Sequence, residues 1–366
     1  MKIVIDARMI SWTGIGRYTR ALIENLQTLD ADNDYLLLLQ KKDFAGVALN
    51  NLRFQKIEAN IRPYSLGEQL YLPGLIASLK PDLVHFLGPN APIFYFGKRI
   101  TTIFDFTLLD YKNVRSDPLA YEVKYWALKL CFWRSVKASK YIITISNFVK
   151  NQVADRYHIS PSKIIPISLA ADNLSAEPKS IDHFNVSGPF LLHVGNSYPY
   201  KNILRLVEAF SKAKEFHKDL KLVIVGKEDV FYEPVHRRIQ ELHLEESVLL
   251  TGFVSDGELV SLYREATMFV FPSLSEGFGL PGLEAMAQGT PVLAANASCL
   301  PEVYADAASY FDPYDVADMA EKIDLLLGDK AELASLKAAG VARVKLFSWE
   351  TMTRQTLEVY TKTDSN

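Results

Sequence analysis

Two glutamates eight positions apart bracket a glycine-rich segment in the second half of the chain, Glu276-Gly277-Phe278-Gly279-Leu280-Pro281-Gly282-Leu283-Glu284. An apolar run, Met268 to Phe271, leads into this segment, and a helical pattern leaves it and stops near Gly289. Pro281 suits the first turn of a helix, where its missing N–H costs no hydrogen bond. Free N–H groups at a helix start, with flexible glycines before them, form an anion site. Two carboxylates beside an anion site are suited to gripping sugar hydroxyls next to a phosphate.

The elements that must position these groups alternate along the chain. Lys2 to Asp6 reads as a strand, Thr13 to Gly16 as a turn, and Arg17 to Leu29 as a helix with Tyr18, Leu22, Leu26 and Leu29 on one face. Further strands are expected at 35–39, 83–87, 100–104, 141–145 and 163–168, with helices at 67–79, 118–138 and 147–157. Residues 171–189 are rich in Asp, Asn, Ser, Glu, Pro and Lys and read as a linker. A second series follows, with strands at 190–194, 221–225, 248–251, 268–271, 291–294 and 309–312. Its helices are expected at 202–214, 233–242, 256–265, 280–288, 315–327 and 330–345, with a last helix near 349–362. Strands apolar on both faces, separated by helices, imply parallel sheets covered on both sides. The expected class is α/β, as two Rossmann-like doubly wound domains facing across a cleft. The first spans 1–172, with helix 349–362 packing back on it, and the second spans 186–346. Ligands in such sheets bind beyond the carboxyl ends of the strands.

At this point the sequence resembles glycosyltransferase family 4, retaining nucleotide-sugar transferases with the GT-B fold. The family's pair of glutamates with seven residues between them matches Glu276 and Glu284, and its Glu-Gly-Phe-Gly-Leu-Pro loop matches Glu276 to Pro281. Gly289-Thr290-Pro291-Val292 and Leu300-Pro301-Glu302-Val303 also resemble the family. The resemblance implies that Glu276 contacts donor-sugar hydroxyls near the reacting carbon and that Glu284 holds the ribose. It implies that backbone groups of Phe278, Gly279 and Leu280 meet the sugar and diphosphate. In Val194-Gly195-Asn196-Ser197-Tyr198-Pro199-Tyr200-Lys201-Asn202, Lys201 matches the family's diphosphate-binding lysine, which would offset charge on the leaving group. Gly14-Ile15-Gly16-Arg17 matches a loop near the donor phosphate, with Gly16 supplying an N–H. Asp105, after the strand 100–104, is the expected acceptor-side carboxylate.

The sequence departs from the family at two places. Phe104 stands where relatives often carry a histidine. Tyr200 and Asn196 stand where many carry an arginine, and Arg205, one turn onward, is the candidate substitute. His85 is a secondary candidate for the missing histidine.

Composition narrows the function classes. The chain has 366 residues, 49% apolar and 23% charged, with a net charge of −3. That is the balance of a folded globular protein rather than a disordered one. Residues 1–180 carry 23 Lys+Arg against 16 Asp+Glu, and the remainder carries 17 against 27. Cys131 and Cys299 are the only cysteines, which suits reduced thiols in a cytoplasmic protein. No signal-peptide core is visible, and no apolar run reaches the roughly 18 residues of a membrane helix. Asp30-Ala31-Asp32-Asn33-Asp34 contains an Asp-x-Asp, but Tyr35 and Lys41 occupy the glycine and final glutamate positions of a calcium loop. It reads as a solvated connection. Residues 119–140 mix Tyr121, Tyr125, Trp126, Phe132 and Trp133 with Lys124, Lys129, Arg134, Lys137 and Lys140. Such a helix either lies on an anionic membrane or packs a buried aromatic stripe under a wet basic face; the second is expected here. No nucleic-acid module is recognisable.

The resulting expectation is a retaining glycosyltransferase that moves a hexose, of mannose or glucose type, from a nucleoside diphosphate sugar to a glycan or lipid-linked acceptor in polysaccharide biosynthesis. GDP-mannose is the first candidate donor, followed by UDP-glucose and UDP-N-acetylglucosamine. No cofactor and no metal are expected. A cytoplasmic location is expected, with peripheral contact at the inner face of the cell membrane. The alternative is a non-catalytic sugar-nucleotide-binding subunit of a glycosyltransferase complex.

Overall fold

A computed structural model of the chain describes residues 1–111, 118–171, 176–227 and 230–364. It divides into two units, Met1–Leu169 with Ser348–Asn366, and Ala170–Phe347.

The first unit runs β1 (Lys2–Asp6), α1 (Gly14–Leu29), β2 (Asp34–Leu39), β3 (Phe54–Glu58), α2 (Leu66–Leu79), β4 (Leu83–Phe86), β5 (Arg99–Ile103), α3 (Thr107–Asp110), α4 (Pro118–Ala138), β6 (Tyr141–Thr144), α5 (Asn147–Tyr157) and β7 (Ile164–Pro166). The seven strands are parallel, in the order β3-β2-β1-β4-β5-β6-β7. Strand order reverses between β1 and β4, which opens a crevice at their carboxyl ends. Ile3, Val4 and Ile5 of β1 are fully buried because helices cover both faces of a parallel sheet. α1 begins at Gly14, so the expected turn at Thr13 to Gly16 is largely the helix's own first turn. β3 has no counterpart in the sequence reading; its pattern Phe-Gln-Lys-Ile-Glu is that of a polar edge strand.

The second unit runs β8 (Phe190–Val194), α6 (Ile203–Phe216), β9 (Lys221–Val225), α7 (Tyr232–Glu241), β10 (Val248–Gly252), α8 (Asp256–Glu265), β11 (Met268–Phe271), α9 (Leu280–Ala287), β12 (Val292–Ala295), α10 (Leu300–Tyr304), β13 (Ala308–Phe311), α11 (Val316–Gly328) and α12 (Lys330–Val344). Its six parallel strands follow the order β10-β9-β8-β11-β12-β13, and the reversal falls between β8 and β11. Helix starts are fixed locally: Ser255 and Glu258 form a capping box on α8, and Asp315 and Asp329 cap α11 and α12. The described part of the expected linker is docked on this unit. Lys179 N–H donates to Gly257 C=O at 3.1 Å, the Ser261 hydroxyl donates to Lys179 C=O at 2.7 Å, and Ile181 is buried. Residues 172–175 of that linker lie outside the described residues.

The last helix, α13 (Trp349–Asp364), belongs to the first unit, where it packs on α1 and β6. Met352, Thr353, Thr356, Val359 and Tyr360 are its buried side.

Candidate active site

The carboxyl ends of β8 and β11 carry the two loops singled out above. The chain leaving β8 turns through Pro199–Lys201 and enters α6 at Asn202, whose φ of 61° is left-handed. Asn202 sets both loops: its side-chain amide donates to Pro272 C=O at 3.1 Å and to Pro313 C=O at 2.8 Å. Leu274 N–H donates to Tyr200 C=O at 2.7 Å. These bonds bring together two residues 75 apart in sequence, and the Lys201 ammonium donates to Glu276 Oε1 at 2.6 Å. Both side chains are about one eighth exposed, so the pair faces solvent at one side while the protein screens the other.

Glu276 is fixed from behind. Its N–H donates to Ser298 Oγ at 3.2 Å, and the Cys299 thiol donates to its carbonyl at 3.3 Å. Gly279 caps α9 with φ of 90°. A Cβ there would lie 2.5 Å from the Tyr304 hydroxyl and 2.7 Å from Leu300 Cδ2, so only glycine fits. The Tyr304 hydroxyl donates to Gly279 C=O at 2.5 Å, which ties down this turn. Phe278 is buried edge-on against Phe347. Glu284 lies in the second turn of α9, buried, and accepts a hydrogen bond from the Tyr263 hydroxyl at 3.2 Å.

Arg205 points back to the same corner. Its guanidinium donates to Asn202 Oδ1 at 2.9 Å and lies 5.7 Å from the Tyr314 ring. Tyr200, at the position where an arginine was sought, places its ring 5.4 Å from the Lys201 ammonium.

Three further groups at this corner escaped the sequence reading. His193 Nε2, Ser197 Oγ and Ser273 Oγ are buried with no hydrogen-bond partner among the described residues. Buried polar atoms are rarely left so. Burial, with the Lys201 charge nearby, pushes the His193 imidazole down to about 4. It is therefore neutral, and its Nδ1–H donates to Val270 C=O at 3.1 Å. Nε2 is then a bare acceptor, 3.4 Å from where a Cβ on Gly195 would stand. The only sequence signal was a histidine inside the strand that precedes the Gly195 turn.

In the first unit, Gly16 lies in the first turn of α1, where N–H groups have no intrahelical acceptor. A Cβ there would collide with Ile10 C=O, so glycine is required at this close approach. Phe104 packs edge-on against Tyr18 at 5.2 Å and brings no titratable group. His85 is fully buried between the Tyr360 hydroxyl and Thr102 Oγ1, at 2.7 and 2.8 Å, which makes it a core histidine. Asp105 Oδ1 accepts from the Thr107 N–H and hydroxyl at 2.8 and 2.6 Å, a local turn just before α3. Asp30 is buried rather than solvated. Against the upward push of burial, hydrogen bonds from Tyr35, Asn33 and the Asp32 N–H hold its carboxyl below the usual range. Among the described residues no group of three or more His, Cys, Asp or Glu is placed to hold a metal.

The carboxyl ends of β1 and β4 hold a different cluster, also missed. Arg8 donates twice to Asp6, at 2.7 and 2.6 Å, once to Glu68 at 2.6 Å and once to Ile61 C=O at 3.1 Å. Asn90 donates to Glu68 Oε1 at 2.6 Å, and Tyr64 N–H donates to Glu68 Oε2 at 2.9 Å. Burial and the Asp6 charge outweigh Arg8 and push the Glu68 carboxyl up to about 7. Above this cluster the exposed rings of Trp12 and Tyr64 stack at 6.1 Å, with Tyr64 held at φ of 58°.

Comparison with known proteins agrees with this geometry. Residues 177–343 match the family described as glycosyl transferases group 1, and residues 12–172 match glycosyltransferase family 4. The O-antigen chain mannosyltransferase B of Escherichia coli is 29% identical, over 98% of this chain and 99% of that protein. A serotype-specific mannosyltransferase WbdA of Escherichia coli is 33% identical over 93% of this chain, which spans only 44% of that longer protein. Among solved structures, a glycosyltransferase from Rickettsia africae superposes with a TM-score of 0.74 at 22% identity, covering 100% of this chain and 99% of that one. The two Rossmann-like units are those of the GT-B class, the reading as a non-catalytic subunit is not favoured, and the chain belongs to glycosyltransferase family 4, as a glycosyltransferase enzyme.

Proposed function

We propose that the chain is a retaining hexosyltransferase that moves mannose from a nucleoside diphosphate sugar, GDP-mannose first, to a glycan or lipid-linked acceptor in surface-polysaccharide assembly. The observation that carries this reading is the Lys201–Glu276 pair, at the same loops as three buried polar atoms without partners among the described residues. A pair that satisfies itself can exchange partners when a donor arrives. Lys201 turns to the diphosphate and offsets charge on the leaving group. Glu276 turns to the hydroxyls of the transferring sugar. Glu284 and the α9 turn hold the ribose and phosphates, with Arg205 as the second cation. No third carboxylate stands out as a covalent nucleophile. Retention then follows from attack on the face the phosphate leaves, the departing phosphate oxygen taking the acceptor's proton. The protein's part is position and charge.

On the acceptor side, Trp12 and Tyr64 offer aromatic faces to a sugar ring, and Asp105 a carboxylate. The relatives' mannosyl activity supports mannose. Metal is dispensable in this reading, and the enzyme works peripherally at the inner face of the cell membrane. The experiment is a transfer assay with GDP-mannose, UDP-glucose and UDP-N-acetylglucosamine, each with excess EDTA. Mannose transfer should persist with EDTA. Activity lost to EDTA and restored by manganese would refute the metal-free part, and transfer from another donor alone would refute mannose.

A further inference from the structure

Trp126 and Trp133 of α4 are 63% and 48% exposed, not the buried stripe expected, and Tyr314 in the second unit is 65% exposed. Single exposed aromatics are ordinary. Tyr314 differs in its company, because it lines a hollow of about 400 Å³ at the carboxyl ends of β12 and β13. The buried Phe311 and the half-buried Tyr310 line it too, with Asn296, Asp312 and Asp318 around them.

Local bonds shape this hollow. Asn296 N–H donates to Phe311 C=O at 2.8 Å, and the Tyr310 hydroxyl donates to Ala305 C=O at 2.6 Å. Tyr314 N–H donates to Asp312 Oδ1 at 2.9 Å, and Asp312 N–H donates to Asp318 Oδ2 at 2.7 Å. Each carboxylate thus commits one oxygen to the backbone. Asp312 Oδ2 and Asp318 Oδ1 have no partner among the described residues. A hollow of this size, formed in advance with a few polar groups in its wall, is the usual form of a small-ligand site.

The lining selects the ligand. Carboxylates accept hydrogen bonds and do not donate them, so they call for donors and repel phosphates and other anions. The Arg205 guanidinium, 5.7 Å from the Tyr314 ring, disfavours a cation. Among the described residues no group of three or more His, Cys, Asp or Glu is placed to hold a metal. A neutral ligand with many hydroxyls and one apolar face fits, and a pyranose ring is such a ligand. Its hydroxyls can donate to the two bare oxygens and bond the Asn296 amide, while its C–H face lies on the electron-rich face of Tyr314. The hollow also adjoins the donor corner. Pro313, in its wall, accepts from the Asn202 amide at 2.8 Å, and Asn202 follows Lys201. Ala297, also in the wall, precedes Ser298, whose hydroxyl accepts from the Glu276 N–H at 3.2 Å.

We propose that this hollow binds one pyranose unit of the glycan substrate, as a site separate from the donor corner that keeps hold of the growing chain between transfers. The proposal deepens, and rests on, the reading as a hexosyltransferase that acts on a glycan. A second point of attachment raises the effective concentration of a long acceptor and leaves a one-sugar acceptor unaffected.

Hydrogen exchange and transfer kinetics test it, with mannotriose as the probe because the relatives named above are mannosyltransferases. In the unaltered chain, with GDP and UDP in excess, mannotriose should slow amide exchange in residues 312–318, a readout that depends on no variant. Asp312→Asn with Asp318→Asn should weaken mannotriose binding by roughly tenfold or more, as expected for two charged hydrogen bonds. The same variant should raise the KM of a long mannose oligosaccharide in similar proportion, with kcat and the KM of a one-sugar acceptor unchanged. Tyr314→Ala should also weaken mannotriose binding, and Tyr314→Phe should keep it. Unslowed exchange in 312–318, displacement of mannotriose by the nucleotides, a folded aspartate variant that binds normally, or an equal rise in KM for both acceptors would each overturn the glycan site. So would a Tyr314→Phe chain that binds no better than Tyr314→Ala. Absence of all transfer in the unaltered chain, with mannotriose binding intact, would instead fault the proposed activity.

Discussion

The two sheets reverse strand order in the same way, yet their crevices are furnished oppositely. Between β1 and β4 the Arg8–Asp6–Glu68–Asn90 cluster is buried, and each charge in it has direct partners. Between β8 and β11 the Lys201–Glu276 pair is open on one side, and three buried polar atoms beside it have no partner among the described residues. A saturated network has nothing left to offer a ligand, so it fixes loops. An unsaturated one has hydrogen-bonding groups left to offer a ligand. The same topology therefore gives a positioning device in one unit and a binding device in the other.

The largest expected effect tests the saturated side. Glu68→Ala leaves Arg8, Asn90 and the Tyr64 N–H short of acceptors. Breaking a buried ion pair by removing one partner costs about 3–5 kcal/mol. Urea denaturation should show that loss, and an unchanged midpoint would mean that the cluster does not hold the loops.

The next effect tests the unsaturated side. Glu276→Gln should leave stability nearly intact and lower kcat by on the order of 10² to 10³, because its contact strengthens as charge develops at the anomeric carbon. Glu284→Gln should instead raise the donor KM, by roughly tenfold, as expected for loss of a charged hydrogen bond made equally in ground and transition states. Steady-state kinetics separate the two. A normal kcat in Glu276→Gln would remove the catalytic assignment.

The smallest effect sets the two crevices against each other through pH. His193 is held neutral down to about 4, below its ordinary 6.5. Below pH 6.5 the unfolded chain takes up a proton that the folded one refuses, so this group removes stability as pH falls from 6.5 towards 4. Glu68, raised from 4.5 to about 7, has the opposite sign: the folded chain keeps a proton that the unfolded one releases, so its contribution is lost as pH rises from 4.5 to 7. His193→Gln should flatten the acid-side slope of stability by about 1.4 kcal/mol per pH unit, and Glu68→Gln should steepen it by a similar amount. Denaturation midpoints across pH 4.5 to 6.5 measure both, and equal slopes in all three chains would refute the pairing.

Much of this architecture was legible because the chemistry is local. The strand, glycine loop and helix around Glu276 to Glu284 are contiguous, and alternation of apolar runs with helical periods marks parallel sheets. What escaped is non-local or lacks a period. Arg8 and Glu68 are 60 residues apart, and nothing in either neighbourhood announces the other. His193 hides within an apolar strand. β3 is an edge strand with charged positions, which weakens its pattern. α4 carries apolar residues on every side, among its charged ones, so its periodicity cannot say which face is wet; only exposure decides that.

The return of α13 to the first unit also has a meaning in time. On the ribosome the first sheet is finished long before the helix that completes its core exists. His85 awaits the Tyr360 hydroxyl, 275 residues later, and α1 awaits the apolar side of α13. The whole second unit emerges in between. Although domains generally fold in order of synthesis, here the second can close first while the N-terminal unit stays open along α1. Nascent chains halted near Phe347 would therefore combine a protease-resistant second unit with a first unit still open to proteases and to chaperones.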